Sequence, residues 1–152
     1  MSLSWAPDRR RLLRIGDVAR RTGLTPRAIR HYESLGLLRP ADRVEGANRL
    51  FDDHDIEVLL EIRRLRDVLG FSLAEIGEML ETDDLRQQIR VDLASTLEPA
   101  ERRGLLAQAR ELAGRRLALI EAKLTKLTDL RDEEVARLSR LDQRLRELEN
   151  SA

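Results

Sequence analysis

The sequence predicts a mainly α-helical protein, in which an N-terminal winged helix-turn-helix is followed by a long helix that needs a partner helix. Three observations support this fold class. Over the first half of the chain, short apolar patterns of helical period are separated by glycine and proline. The last third contains no proline and repeats leucine at an average spacing of roughly 3.5 residues. Charged residues make up 37% of the chain and aromatic residues 3%, which is typical of solvent-exposed helices.

Glycine, threonine and proline delimit the first two helices. Residues 1–11 have no apolar periodicity and are expected to form a mobile basic tail. The first helix ends at Gly23, and Thr25 caps a second helix that begins with Pro26 and ends at Gly36. Their inner faces carry Ile15, Val18 and Ala19, and then Ala28, Ile29, Tyr32 and Leu35. Two short amphipathic helices joined by a glycine-containing turn indicate a helix-turn-helix.

A small wing and a third helix continue the predicted N-terminal domain, which spans residues 12–82. Residues 41–51 carry turn-forming residues between short apolar runs, a pattern typical of a hairpin. Asp52 or Asp53 is expected to cap the third helix, and Gly70 to end it. Its predicted inner face carries Ile56, Leu59, Leu60, Ile62 and Leu65.

The helical pattern weakens after a fourth helix. Ser72 and Glu75 have the spacing of a capping box at the start of that helix. Asp83-Asp84 is expected to cap another short helix, within a connecting segment that spans residues 83–100 and contains a break at Pro99.

Residues 101–150 predict one long helix with an apolar stripe. The stripe carries Leu106, Ala113, Leu117, Ile120, Leu124 and Leu127, and then Leu138, Leu141, Leu145 and Leu148. Arg131 and Glu134 occupy the seam between these two runs, and Leu130 and Val135 indicate a shift of the stripe there. Because an isolated helix would leave so long a stripe in water, the pattern predicts a coiled coil.

The formal net charge of zero is a cancellation along the chain. Residues 1–50 contain eleven Arg and no Lys against five acidic residues, a net charge of +6, and the remainder carries −6. A basic head on an acidic body favours polyanion binding by the head. The absence of Cys excludes disulfides, thiolate metal sites and a cysteine nucleophile. With no apolar run near the ~20 residues of a membrane span and no signal-peptide pattern, we expect a cytoplasmic protein.

Several motifs follow one another in the first half of the chain. They are Arg14-Ile15-Gly16-Asp17-Val18-Ala19, Gly23-Leu24-Thr25, Arg27-Ala28-Ile29-Arg30-His31-Tyr32-Glu33, Gly36-Leu37-Leu38, Pro40, Arg43, Arg49-Leu50-Phe51 and Gly70-Phe71-Ser72-Leu73-Ala74-Glu75-Ile76. With these motifs the chain strongly resembles the MerR family of bacterial transcription regulators. The resemblance implies a winged helix-turn-helix, followed by a long dimerisation helix that pairs with its twin as an antiparallel coiled coil.

The chain also departs from the usual family pattern. His31-Tyr32-Glu33 stands where the family usually has Tyr-Tyr-Glu. The wing ends in Ala47-Asn48-Arg49-Leu50-Phe51 instead of the common Gly-Tyr-Arg-x-Tyr, so two phenol hydroxyls that could touch phosphate are missing. The segment before Gly70 is one residue longer than the commonest pattern. This leaves open whether the second wing's contact comes from Arg63, Arg64 or Arg66.

The resemblance places the second helix in the major groove of DNA. Arg27 is the candidate for a base edge, because arginine can bind guanine O6 and N7 with two donors, and Arg30 for a base or the backbone. Tyr32 is expected either to contact phosphate or to pack inside, and His31 either to donate to phosphate or to lie exposed. Arg43 and Arg49 on the wing are favoured for phosphate. The full set of DNA-binding candidates is Arg14, Thr25, Arg27, Arg30, His31, Tyr32, Arg43, Asn48, Arg49 and Arg66, and the dimerisation candidates are Leu106, Ala113, Leu117, Ile120, Leu124 and Leu127.

The function implied is that of a sequence-specific DNA-binding transcription regulator. As a homodimer it would bind a palindromic site in double-stranded promoter DNA, and it would distort the promoter spacer to activate or repress. RNA polymerase is a candidate partner, and the expected location is the bacterial nucleoid. The sequence shows no nucleophile–base pairing and no phosphate-binding glycine loop, so neither an enzyme nor a cofactor or metal site is predicted.

Two other functions stay open at this stage. One is an architectural or recombination-directing DNA-binding factor on the same fold. The other is a coiled-coil interaction adaptor that has lost DNA binding, which the cluster of Arg27, Arg30, Arg43 and Arg49 argues against. A small-molecule effector also stays open, although no aromatic residue follows Phe71 to line a pocket, and without Cys an iron–sulfur sensor is excluded.

Overall fold

A computed structural model describes residues 12–38, 44–45, 48–95 and 97–152. The protein is mainly α-helical, as the sequence predicts. The chain divides into two units, Met1–Asp84 and Leu85–Ala152, and each is described by itself. The expected basic tail and Arg43 lie outside the described residues.

The helix-turn-helix consists of α1 (Ile15–Thr22) and α2 (Pro26–Ser34). Gly23 ends α1 in the left-handed conformation with φ 71°, which confirms the predicted boundary. The Thr25 hydroxyl oxygen accepts a 3.1 Å hydrogen bond from the backbone N–H three residues later, so the predicted cap of α2 is also confirmed. Gly36, with φ 73°, follows the end of α2.

The predicted wing is a two-stranded antiparallel hairpin. Strand β1 (Val44–Glu45) pairs with β2 (Asn48–Arg49). After β2 the backbone of Phe51 makes two hydrogen bonds of 2.8 Å with that of Leu13, just before α1. These bonds attach the base of the wing to the start of the helix-turn-helix.

The third helix, α3 (Asp53–Arg63), begins at the predicted cap and ends in a wide turn. Asp52 caps it through a capping box, in which Asp52 and Asp55 each accept a 3.0 Å hydrogen bond from the other's backbone N–H. Arg64–Val68 then form a π-helical turn, here called the π-turn, which was not predicted. A single π-turn is how a helix absorbs an extra residue, which agrees with the longer segment before Gly70.

The fourth helix, α4 (Leu73–Leu93), is longer than predicted. The capping box between Ser72 and Glu75 is present, with hydrogen bonds of 2.7 and 3.1 Å. The prediction that Asp83-Asp84 caps a new helix is wrong, because both residues lie inside α4. Ile89, in the continued part of the helix, is buried. Most of the predicted connecting segment, residues 83–100, is therefore helical.

The core of the first unit comes from all four of its helices and from the base of the wing. Most of its inner positions are those expected from the apolar periodicity. The buried side chains include Val18, Ile29, Tyr32, Phe51, Ile56, Leu59, Ile62, Leu65, Phe71, Ile76 and Met79.

The last helix, α5 (Pro99–Asn150), runs without interruption for 52 residues. Pro99 is its first residue rather than a break, and Glu98 with Glu101 forms a capping box there. Leu112 is buried, and partly buried neighbours share its stripe at alternating spacings of three and four, namely Leu105, Ala109, Arg116 and Leu119. This stripe differs from the predicted leucine seam, so α5 has two apolar faces. Within the described part of the chain, no helix is long and apolar enough to cross a membrane.

Candidate nucleic-acid interface

The outer face of α2 presents three basic side chains to solvent. Arg27, Arg30 and His31 are exposed, whereas Ile29 and Tyr32 on the inner face are buried. Spacings of three and four residues bring side chains onto one helix face. Among the described residues, the guanidinium groups of Arg27 and Arg30 have no ion-pair or hydrogen-bond partner. The outer face of α2 therefore presents exposed cationic donors, and their contacts with DNA stay predictions.

Basic residues of α1 differ from those of α2 in having acidic partners. Arg20 pairs with Asp17 on the same helix, and Arg21 lies 3.4 Å from Asp53 at the start of α3. These pairs neutralise the end of α1. Because the arginines of α1 are paired with acidic residues, the candidate DNA-binding surface consists of α2 and the residues beside it.

Three other predicted contact residues are exposed around α2. Arg14 precedes α1, Thr25 caps α2, and Asn48 begins β2. The Thr25 oxygen also has a local role, since it accepts the capping hydrogen bond of α2. Each of the three can be reached by a ligand, and their contacts with DNA stay predictions.

Arg49 is held inside the domain. Its Nη2 donates to Asp55 Oδ1 at 2.7 Å, and its Nε lies 3.3 Å from Glu33 Oε1. Its guanidinium carbon also lies 4.8 Å from the centre of the Phe51 ring. Only 14% of the Arg49 side chain is exposed, so the geometry favours a clamp between α2, β2 and α3 over the predicted phosphate contact.

The carboxylates that hold Arg49 were not predicted from the sequence. Glu33 on α2 and Asp55 on α3 have side chains that are 25% and 10% exposed. The sequence contains a signal for a structural role of Glu33, because acidic residues are scarce in the first fifty positions and Glu33 follows Tyr32 directly. The distance between Arg49 and Asp55 could not be predicted from the sequence, since Asp55 belongs to a different element, the helix α3.

Tyr32 and Arg66 form a hydrogen-bonded pair. The Tyr32 ring is 2% exposed, so of the two predicted alternatives the structure has inner packing. Its hydroxyl oxygen accepts a hydrogen bond of 2.8 Å from Arg66 Nη1. The guanidinium carbon lies 6.0 Å from the ring centre, and the Arg66 side chain remains exposed. The pair links α2 to the π-turn.

The other two arginines of this segment have separate partners. Arg63 Nη1 donates to the Thr22 carbonyl oxygen at 2.8 Å, at the end of α1. Arg64 forms two hydrogen bonds of 2.9 Å with Glu61, and this bonding, followed by the carboxylate charge, raises the pKa of Arg64. Of the three candidates for the second wing's contact, only Arg66 combines exposure with a position beside α2 and no carboxylate partner among the described residues.

The predicted dimerisation residues of α5 lie on its open face. Leu106, Leu117, Ile120, Leu124 and Leu127 are each at least 37% exposed, and Ala113 is also exposed. They are thus uncovered within the chain, unlike the stripe around Leu112.

The known proteins that are similar to this chain are helix-turn-helix regulators of transcription. The MerR HTH family regulatory protein domain matches residues 13–83. The HTH-type transcriptional regulator YfmP of Bacillus subtilis is 36% identical over 112 residues, which cover 74% of this chain and 80% of the relative. The HTH-type transcriptional regulator PA4778 of Pseudomonas aeruginosa is 37% identical over 120 residues, which cover 79% and 78%.

Solved structures were compared as well. A crystal structure of HiNmlR, described as a MerR family regulator lacking the sensor domain and bound to promoter DNA, is 20% identical and has a TM-score of 0.45. The match covers 80% of this chain and 79% of that chain. The identities and coverage of the two bacterial regulators confirm the resemblance found in the sequence. The chain belongs to the MerR family of helix-turn-helix regulators, and it is a DNA-binding regulator of transcription.

Proposed function

We propose that α2 reads DNA in the major groove, with Arg27 at a base edge and Arg30 at a base or the backbone. The observation that carries this proposal is that both guanidinium groups are exposed on the face opposite the buried Ile29 and have no partner among the residues that the structure describes. Thr25 and His31 border this face and are assigned to phosphate, together with Arg14 and Asn48. Phosphate contacts fix the register of the protein on the duplex, whereas base contacts specify sequence.

The binding unit is proposed to be a homodimer formed through the exposed leucine seam of α5. One small head covers few base pairs, so a two-fold dimer reading a palindrome supplies the specificity that one head lacks. The uncovered seam supports this proposal, because an apolar stripe of this length in water is unfavourable by roughly 25 cal/mol for each Å² exposed. The antiparallel arrangement is proposed from the family resemblance.

Regulation is proposed to occur through the shape of the promoter. The dimer would bind within the spacer between the two promoter elements and bend or untwist it, which either aligns the elements for RNA polymerase or holds them apart. Such distortion costs several kcal/mol and is offset by the additional contacts that the bend permits. The proposed place of action is chromosomal DNA in the cytoplasm. We propose that the protein regulates transcription without enzymatic activity.

Gel-shift titration tests the DNA-reading surface. The double variant Arg27→Ala/Arg30→Ala should lose sequence-specific binding and retain its helical circular dichroism, since neither side chain contacts the core. Arg20→Ala is the matched control, because it removes an exposed arginine that is already paired with Asp17. Unchanged specific binding by the double variant would place the reading surface elsewhere.

Transcription in vitro tests the promoter mechanism. On a target promoter whose spacer is shortened toward the length that polymerase prefers, the effect of the protein should fall or reverse sign. An effect independent of spacer length would argue for simple occlusion of polymerase.

A further inference from the structure

We infer that Tyr32 is a positioning residue, whose hydroxyl holds the Arg66 guanidinium where it binds a phosphate of the DNA backbone. The inference deepens the proposed function and rests on the placement of α2 in the major groove. It gives the one tyrosine of the chain a role that its buried ring alone does not suggest.

The hydroxyl is a fixed point. The Tyr32 ring is 2% exposed on the inner face of α2, so packing determines where its oxygen lies. That oxygen accepts the 2.8 Å hydrogen bond from Arg66 Nη1. A long arginine side chain otherwise loses rotamer freedom when a ligand immobilises it. The tyrosine therefore reduces the entropy lost on binding.

Arg66 retains donors for a ligand. An arginine side chain has five N–H donors in a planar fork, and the Tyr32 hydroxyl occupies one of them. The side chain is exposed, and within the described ranges no carboxylate pairs with it. Two parallel donors of a guanidinium match two oxygens of a phosphate. Since α2 carries exposed Arg27 and Arg30, the anion available beside it is the DNA backbone.

Arg66 lies within the π-turn. On a regular α-helix, residues three apart lie roughly 60° from each other around the axis and point to nearly the same side. Here Arg63 reaches the Thr22 carbonyl at the end of α1, and Arg66 reaches Tyr32 on α2. Arg63 is the last residue of α3, whereas Arg66 lies inside the wider turn at Arg64–Val68, where side chains do not follow the regular α-helical spacing. Arg66 is the residue of this turn that reaches α2.

The test compares Tyr32→Phe, Arg66→Gln and the double variant on a random-sequence duplex of about 30 base pairs, titrated at several salt concentrations. Arg66→Gln should reduce the slope of log K against log salt by about one, because one phosphate contact is lost. Tyr32→Phe keeps the ring and the arginine charge, and it should weaken binding about fivefold. The double variant should bind no more weakly than Arg66→Gln alone, since the tyrosine acts only through the arginine.

Arg64→Gln is the matched control. It removes the same charge from the same turn, but its guanidinium is paired with Glu61 and should not contact phosphate. Equal losses for Arg64→Gln and Arg66→Gln would overturn the inference by showing a general charge effect, as would additive losses for Tyr32→Phe and Arg66→Gln. Arg66→Lys gives a second check that leaves the core intact, and it should keep the salt slope while weakening binding.

Different results would contradict the placement of α2 in the major groove and the role of the Tyr32–Arg66 pair. If the Arg66 and Tyr32 variants bind as the wild type does while Arg27→Ala/Arg30→Ala loses binding, the inference is wrong and the placement of α2 stands. If Arg27→Ala/Arg30→Ala binds normally, the placement itself is wrong, and with it the premise of the inference.

Discussion

Arginines that look alike in the sequence have different surroundings in the folded protein. Arg27 is exposed and without a partner among the described residues, Arg66 is exposed and attached to Tyr32, and Arg49 is largely buried between two carboxylates. Burial and partners therefore separate the proposed base reader Arg27 and the proposed phosphate binder Arg66 from Arg49, which is held within the domain. Each role makes a different prediction for binding and stability.

Arg27→Ala should relax sequence preference at one base pair. A bidentate contact to the correct base is worth roughly 1–3 kcal/mol of discrimination. For two duplexes that differ at this base pair, the difference in binding free energy should therefore fall by about that amount. Non-specific binding should change much less. Equal weakening on specific and random duplexes would mean that Arg27 contacts phosphate instead.

Arg49→Ala should destabilise the domain by about 2 kcal/mol. The substitution leaves the carboxylates of Glu33 and Asp55 close together and without their counterion, and such losses exceed those of a surface pair. A lower midpoint in urea unfolding is the expected result. The exposed Arg27→Ala is the control and should unfold like the wild type. If Arg49→Ala instead keeps its stability and loses about one unit of salt slope, the earlier phosphate assignment holds.

At the scale of elements, the turns between helices depend on left-handed glycines with different neighbours. A Cβ atom on Gly23 would lie 2.7 Å from Arg63 Nη1, whereas one on Gly36 would meet nothing within 4 Å. Both positions have positive φ, which costs an alanine about 1 kcal/mol or more.

Gly23→Ala should therefore destabilise the domain more than Gly36→Ala. We expect about 2 kcal/mol at Gly23, since the Arg63 hydrogen bond to the Thr22 carbonyl must also shift, and about 1 kcal/mol at Gly36. Chemical unfolding of the two variants under identical conditions measures the difference. Equal losses would show that Arg63 moves aside without cost.

Local signals explain why most element boundaries were predictable. Thr25, Ser72 and the glycines act within one helical turn, so the sequence alone identifies them. The continuation of α4 past Asp83 has no such local signal, although it contains the buried Ile89. The contacts of Arg49 depend on carboxylates from two different helices. The π-turn was hidden for a similar reason, because periodicity describes regular helices and not one inserted residue.

For the whole molecule, the zero net charge separates into two regions of opposite sign. The basic excess lies in residues 1–50, which include both helices of the helix-turn-helix. The acidic excess lies in residues 51–98, which hold thirteen acidic and five basic residues, whereas α5 holds ten acidic and twelve basic residues. The basic excess of the first fifty residues favours attraction to DNA. The leucine seam of α5 is exposed, and we propose that it joins two copies.

Leu124→Glu should convert the dimer to monomer and weaken binding to any palindromic site. Ala122→Glu is a matched control, because Ala122 is exposed and lies opposite the seam, two residues away on the same helix. Sedimentation measures the mass of each variant. If Leu124→Glu remains dimeric, the seam is not the dimer interface.

A genome-wide map of the DNA bound by the full chain, with base-pair resolution at each site, tests the proposed promoter binding most directly. We expect inverted repeats that lie between the two elements of promoters with overlong spacers, and loss of those sites in the Arg27→Ala/Arg30→Ala variant. Binding spread without sequence preference, or confined to sites outside promoters, would contradict it.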